Sequence, residues 1–475
     1  MLFVYSLLLT VGVLLLLPRF LLDAARHGKY AAGLSERAGS LPDFDADGRP
    51  VIWLHCVSVG ETQAARPLVA SLLETFPDHA LVVSTTTLTG QRVAREAFGA
   101  RAALICYFPF DWAWCVRRAL RRINPAIVLV METELWPRFL SECLKRNVTV
   151  ALVNGRISEK SFRRYRLIGP FIRRALSDLS LALMQSEADA ERIRALGLAP
   201  ERVAVTGNVK FDLEDEGVSP LTRQLRQRYG VGPERPLILA ASTHDPEERV
   251  LLDAYRRLVE KAEATATTRA REASSTAYST EAAEARRPRL LLAPRHPERF
   301  EEIAALIETT GLSFSRRTAP HAESDAACDV ILLDSIGELR AAYPLAELVF
   351  VGGSLARVGG HNVLEPALSA RCIVTGPYTF NFTAIVRLLL ESDALIQLPP
   401  SDEAEAAGAL AEVFRDLLTH EARRIAIGER ARAVLRQHRG ATSRTVERLT
   451  PLLRPRTHEG ARLPAKENGV LTSGL

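Results

Sequence analysis

From position 51 onward, short runs of Val, Ile, Leu and Ala alternate with stretches whose apolar side chains recur every three or four residues. Apolar runs of strand length predict strands buried on both faces, and the helical period predicts helices that cover them. A first series of predicted strands occupies residues 51–57, 80–84, 103–107, 126–131, 148–153 and 181–185. A polar stretch rich in Glu, Arg and Gly interrupts the rhythm at 213–236. A second series then follows at 237–241, 290–292, 330–333, 348–351, 372–374 and 395–397. The alternation predicts two α/β domains, each an open parallel sheet, over 23–212 and 237–453, joined by a linker at 213–236. Residues 262–287 lack an apolar period and are biased to Ala, Thr, Ser, Glu and Arg, which predicts an inserted surface loop without chemistry. A disordered tail is expected over 454–475.

Ahead of the first sheet, residues 1–18 carry no charged side chain and include Leu7, Leu8, Leu9, Val11, Val13, Leu14, Leu15, Leu16 and Leu17. This predicts a transmembrane or signal-anchor helix over 1–22, near the minimum length for a span. Arg19, Arg26, Lys29 and Arg37 follow it and no charge precedes it, so the positive-inside rule places the domains in the cytoplasm. A cleaved signal peptide is disfavoured by the missing basic n-region and cleavage site. A full span and an interfacial helix, extended by Phe20, Leu21 and Leu22, both remain open.

Composition changes this picture little. Of the 475 residues 47% are hydrophobic and 25% charged, as in a folded globular chain, and the net charge of +5 is too small to imply nucleic acid as a partner. Arginine clusters at 117, 118, 121 and 122, at 163, 164 and 166, and at 173 and 174 are either solvated helix faces or contacts for an anionic surface. Six cysteines show no C-x-x-C pair, which argues against a zinc site or a disulfide framework and for buried thiols in a reducing compartment.

In open α/β sheets ligands gather at the carboxyl ends of the strands, so the residues there carry the candidate chemistry. Glu61 follows Gly60 after the first strand and opens a helix; it is either a helix-start cap or a general base. Glu132 and Glu134 follow a very apolar strand, Glu132 reading as a group of the site and Glu134 as a cap for the helix after Trp136. Arg156 and Lys210 are cations at strand ends, suited to a phosphate. In the second series, Arg295 precedes a helix start, and Ser335, Ile336, Gly337 and Glu338 open another. Gly352 and Gly353, then Gly359, Gly360, His361, Asn362 and Glu365, suggest backbone amides for a phosphate and a carboxylate for ribose hydroxyls. No Walker-A, H-E-x-x-H or complete EF-hand pattern is present, and the D-x-D run at Asp43, Asp45 and Asp47 precedes the first strand instead of following one, so metal-free chemistry is expected, and His55, His244, His296 and His361 read as structural hydrogen bonders.

Eight motifs occur in order: H-x-V-S-V-G-E at 55–61, M-E-T-E-L-W-P at 131–137, T-G-N-V-K-F-D at 206–212, S-T-H at 242–244, P-R-H-P-E-R-F at 294–300, F-V-G-G-S-L at 350–355, G-G-H-N-x-L-E-P at 359–366 and G-P-Y-T-F-N-F at 376–382. Together they resemble the 3-deoxy-D-manno-octulosonic acid (Kdo) transferase family of lipopolysaccharide assembly. The resemblance implies a GT-B fold, two Rossmann-like domains facing a cleft, anchored at the cell inner membrane. It implies inverting, metal-independent transfer of Kdo from CMP-Kdo, a co-substrate rather than a cofactor, to the lipid A precursor lipid IVA. It places the general base on Glu61, acting on the 6′-hydroxyl of the lipid's distal glucosamine, and transition-state stabilisers on Glu132 and Lys210. CMP contacts fall on Pro294 and Arg295, on Ile336, Gly337 and Glu338, and on Asn362, Val363, Leu364 and Glu365. Two other readings stand beside it: a GT-B enzyme acting on a UDP-sugar, such as a nucleotide-sugar 2-epimerase, and a membrane-tethered nucleotide-binding protein without catalysis.

Overall fold

The computed structural model describes residues 1–27, 33–214, 217–272 and 287–453. The chain forms two compact units, Met1–Val209 with Gly440–Leu475, and Lys210–Arg439. In the first, strands β1 (Val51–Cys56), β2 (Ala80–Thr85), β3 (Leu104–Tyr107), β4 (Pro125–Met131), β5 (Thr149–Gly155), β6 (Leu181–Met184) and β7 (Val203–Val205) lie in the order β3-β2-β1-β4-β5-β6-β7. All their pairings are parallel. Alternate residues enter opposite cores: Trp53, Val82 and Val128 pack on one face, while Ile52, Leu54, Val83 and Leu129 pack on the other. Burial on both faces explains why these strands read as unbroken apolar runs. Chain order reverses between β1 and β4, so the loops leaving these two strands diverge and open a crevice at their carboxyl ends.

Helix α1 (Leu2–His27) lies ahead of this sheet. One side of it meets the first unit: the Tyr5 and Phe171 rings are 5.6 Å apart, Trp112 Nε1 donates to Thr10 Oγ1 at 3.0 Å, and Arg138 donates to Ser6 Oγ at 2.9 Å. Phe3, Val4, Leu7, Leu8, Val11, Leu14 and Leu15 on the other side are exposed. Among the described residues no helix is long and apolar enough to cross a membrane. Helix α2 (Val59–Ala64) begins behind Ser58, and α3 (Pro137–Leu144) begins behind Trp136. The expectation that Glu134 caps α3 is corrected: the amides of Arg138 and Phe139 donate to the buried carboxylate of Asp111, at 3.0 and 2.7 Å. Asp111 comes from a loop distant in sequence, so only the fold reveals it.

In the second unit, β8 (Leu237–Thr243), β9 (Arg289–Pro294), β10 (Phe314–Arg316), β11 (Val330–Leu332), β12 (Leu348–Val351), β13 (Cys372–Thr375) and β14 (Ile396–Gln397) lie in the order β10-β11-β9-β8-β12-β13-β14, again all parallel. Here the reversal falls between β8 and β12. The expected linker is corrected. Residues 220–229 form helix α4 (Pro220–Tyr229), capped by Ser219, and Leu225 and Tyr229 bury in the core of this unit. The expected loop at 262–287 is corrected in part: helix α5 (Glu247–Glu272) runs through its first eleven positions, where good helix formers propagate the turn, and 273–286 lie outside the described residues. The short helix α6 (Leu364–Leu368) follows the second glycine pair.

The expected end of the second domain at 453 is corrected too. Helix α7 (Ala441–Leu453) belongs to the first unit, where Val446, Leu449 and Leu453 complete the core against Ile52 and Leu54. Thr445 Oγ1 meets Thr206 Oγ1 at 3.1 Å, and Arg444 Nε donates to the Thr206 carbonyl at 2.8 Å. The expected tail at 454–475 lies outside the described residues. All six cysteines are buried free thiols.

One fully buried carboxylate shapes the loop after β12. Glu247 Oε1 accepts the amides of Ser354 and Leu355 at 2.8 Å and Ala356 at 3.3 Å; Oε2 accepts those of Gly353 at 2.7 Å and His244 at 3.0 Å. A carboxylate only accepts, so it matches five converging donors. In Glu247→Gln an NH₂ group must face two or three of those N–H groups. Denaturant titration should show a loss of about 3 kcal/mol or more, the cost of several buried unsatisfied donors. Unchanged stability would contradict this role.

Candidate active site

At the carboxyl end of β1 the first unit turns sharply into α2, and three acidic side chains gather there. Glu61 is 8% exposed. Its Oε2 accepts the Val57 amide at 2.9 Å and its Oε1 accepts the Ser58 hydroxyl at 2.9 Å, while Ser58 Oγ accepts the Glu61 amide at 3.3 Å. This is a local variant of the reciprocal cap that fixes helix starts, so the capping reading of Glu61 is structurally correct. It is also incomplete. Two donors ordinarily hold a carboxyl below its usual value. Burial, with Glu132 and Glu134 adding like charge, instead pushes Glu61 up to about 7. Held near neutrality, Glu61 can take and return a proton.

Glu132 follows β4, across the reversal from β1, with its amide on the Val153 carbonyl at 3.0 Å. Its φ of 54° is left-handed, unusual for Glu and a local strain of the kind that collects at functional sites. Glu134 is half-buried, and burial and Glu132 push its carboxyl up. Thr133 Oγ1 bonds the Arg156 carbonyl, tying the loops after β4 and β5 together, and Arg156 itself is half-buried. His55 is fully buried, stacked 3.8 Å from the Phe108 ring and bonded through Nδ1 to Ser84, and burial lowers it to about 3. It is therefore a neutral structural histidine, as expected.

In the second unit, Lys210 lies half-buried in the turn Val209–Phe211. Pro294 ends β9, and the exposed Arg295 donates its amide to the Thr243 carbonyl at 3.0 Å. A pocket of about 450 Å³ brings together two of the predicted nucleotide residues, Gly337 and Glu365, with Thr222, Arg340 and Tyr343. Glu365 is held by Tyr343 and Asn362, and burial pushes its carboxyl up despite the nearby Arg340. Asn362 Oδ1 accepts the Leu364 amide at 3.0 Å and so fixes the entry to α6. The side chains of Val363 and Leu364 bury in the core, which leaves their backbone as the part able to meet a ligand. Ile336 is exposed, Gly337 has a φ of 87°, and Glu338 is engaged by Arg317 at 2.8 Å and Ser335 at 2.7 Å. The pocket does not include Pro294, Arg295 or Asn362 in its wall.

One expectation fails here. Of the first glycine pair, read as part of a phosphate cradle, the Gly352 amide pairs with the Ala241 carbonyl at 2.8 Å, and the Gly353 amide, with that of Ser354, already holds Glu247. A buried anion of the chain's own occupies the place of the phosphate. Glu247, Arg340 and Tyr343 were missed because isolated Glu, Arg and Tyr residues within helical stretches carry no local signal; only the sheet order brings them to the strand ends.

The family model described as 3-Deoxy-D-manno-octulosonic-acid transferase (kdotransferase) matches residues 32–213. The 3-deoxy-D-manno-octulosonic acid transferase of Haemophilus influenzae is 32% identical over 95% of this chain and 98% of its own length. That of Bordetella pertussis is 36% identical over 84% of this chain and 86% of its own. Among solved structures, the UDP-GlcNAc 2-epimerase from Neisseria meningitidis, solved with UDP-GlcNAc bound, superposes with a TM-score of 0.54 at 11% identity over 85% of this chain and all of its own, a likeness of fold alone. With two parallel sheets in the GT-B manner, an acidic cluster at the first switch point and this similarity over nearly its full length, the chain belongs to the Kdo transferase family of glycosyltransferases.

Proposed function

We propose that this enzyme moves Kdo from CMP-Kdo to the lipid A precursor lipid IVA in lipopolysaccharide biosynthesis, with inversion and without a metal ion. The observation that carries the mechanism is Glu61, a buried carboxyl held near neutrality at the end of β1. In its ionised form Glu61 takes the proton of the acceptor's sugar hydroxyl as that oxygen attacks the anomeric carbon. Glu132 and Lys210 steady the charge that develops in the transition state, and Arg295 with the backbone around Gly337 and α6 holds the nucleotide and its departing phosphate. The pocket at Gly337 and Glu365 supports a nucleoside, with Glu365 offered to its hydroxyls.

A lipid acceptor makes membrane contact part of the same reading. The exposed apolar side of α1 serves as the anchor at the cytoplasmic face of the inner membrane, and its polar bonds through Thr10 and Ser6 keep the first unit against it. Leu8→Glu with Leu15→Glu should release the protein from anionic vesicles in a sedimentation assay while leaving its fold intact. Retained binding would remove α1 from the anchor.

The base is tested by pH. Glu61 must be ionised to act, so the rate of Kdo transfer should rise with pH and level off above about 7. Glu61→Gln should lower kcat by roughly 10²- to 10⁴-fold and abolish that rise. Stability separates the base from a cap. The raised value means that ionised Glu61 costs stability, present below the unfolded carboxyl range and lost as pH rises through about 7. Above that pH, Glu61→Gln should therefore unfold at no lower temperature than the wild type. A marked loss of stability with full activity would make Glu61 a cap only.

A further inference from the structure

At the reversal between β8 and β12, two histidines assigned only structural roles meet ring to ring. His244 Nε2 and His361 Nε2 are 2.7 Å apart, with their planes 5° from parallel. Two ring nitrogens at that distance share one bridging proton, since two N–H groups would collide and two lone pairs would repel. The contact is built into the backbone. The His244 amide is held by Glu247, and His361 packs on Gly353, where any Cβ would come within 2.9 Å of its ring. Gly353 has a φ of 66°, so both its conformation and the space favour glycine.

The surroundings are cationic. Arg295 and His296 face the pair from the loop after β9, the His296 ring lies 5.0 Å from that of His244, and Arg299 adds charge from the next turn. Of the carboxylates on the same elements, Glu247 holds the amides, Glu248 and Glu302 pair with Arg299 at 2.9 and 3.1 Å, Asp245 pairs with Arg249 at 3.2 Å, and the exposed Glu298 lies 3.4 Å from His296 Nδ1, which leaves Arg295 as the cation that faces the pair. We infer that His244 and His361 form an anion contact that takes up one proton as the phosphodiester of the nucleotide donor settles beside Arg295. This rests on the nucleotide reading of the second unit. No bond breaks in this step: a solvent proton turns one ring into an imidazolium, and the bridge becomes charge-assisted. Burial, with His296 and Arg295 close by, lowers both histidines to about 4, and the His244 ring adds to the lowering of His361, so the empty pair stays neutral and an arriving anion supplies what the extra proton requires. When the donor ester cleaves, the phosphate gains negative charge beside a pair that is already cationic.

The full-length protein should be titrated calorimetrically with cytidine and with the methyl ester of cytidine 5′-phosphate, which has no phosphate proton to lose near neutrality. Two buffers of different ionisation heat report the proton. The ester should bind with proton uptake and about tenfold more tightly near pH 6 than near pH 8, whereas cytidine should show neither effect. His361→Asn and His244→Asn should each remove the uptake and leave cytidine binding unchanged. Wild-type ester binding without uptake, or variants that keep it, would overturn the histidine contact while leaving the nucleotide site standing. Failure of both ligands to bind the wild type would overturn the nucleotide reading itself. Should either variant lose cytidine binding through misfolding, ¹⁵N-histidine spectra of the wild type decide: ester must raise the titration of these two rings and spare His55.

Discussion

A parallel sheet covered on both faces leaves no room for polar chemistry along its strands. Every residue of β1 and β2 is buried, and an unpaired charge placed there would cost several kcal/mol, on the order of a domain's whole stability. Reactive groups are therefore driven to the carboxyl ends, and the reversal of strand order decides which ends diverge enough to hold a ligand. Both units obey this constraint. Glu61 and Glu132 stand at the β1–β4 reversal, and Glu247, His244 and His361 stand at the β8–β12 reversal.

The same residue type meets opposite fates at the two ends. Glu247 accepts five backbone amides away from solvent, so although burial raises its carboxyl as well, it serves as a fixed internal acceptor that shapes the loop after β12. Glu61 has two donors and two acidic neighbours, so burial and like charge outweigh hydrogen bonding and its proton is exchangeable near neutrality. A helix-start cap can thus also be the carboxylate proposed as general base, since hydrogen bonding and burial act on it together. Its two hydrogen bonds fix its orientation, and its surroundings set its reactivity.

The strands buried on both faces were legible because burial on two sides writes itself as an unbroken apolar run. The edge strand β7 and the three-residue β10, whose Phe314, Ser315 and Arg316 contain no such run, were not. The stretch at 213–236 reads as a linker because the core-facing Leu221, Thr222, Leu225 and Tyr229 of α4 stand amid Arg and Gln. The sequence alone does not assign α7 to the first unit, because periodicity reports an apolar face and not the sheet that receives it. Candidate catalytic residues were legible as carboxylates and cations after strands. Their partners were not: Asp111 for α3 and Glu247 for the amides beyond Gly352 come from other parts of the chain. The pair Gly352 and Gly353 advertises an anion site in sequence, and only three dimensions show that the acidic group meeting the Gly353 amide is the internal Glu247.

A Kdo transferase that works on a lipid acceptor leaves its sugar on that lipid, where the added mass can be read. The most direct measurement is the mass of lipid IVA after incubation with the full-length protein and CMP-Kdo, with and without a chelator. Metal-free transfer through Glu61 gives a gain of one or more whole Kdo residues that the chelator does not change. A lipid of unaltered mass, or a gain that disappears with the chelator, would contradict it.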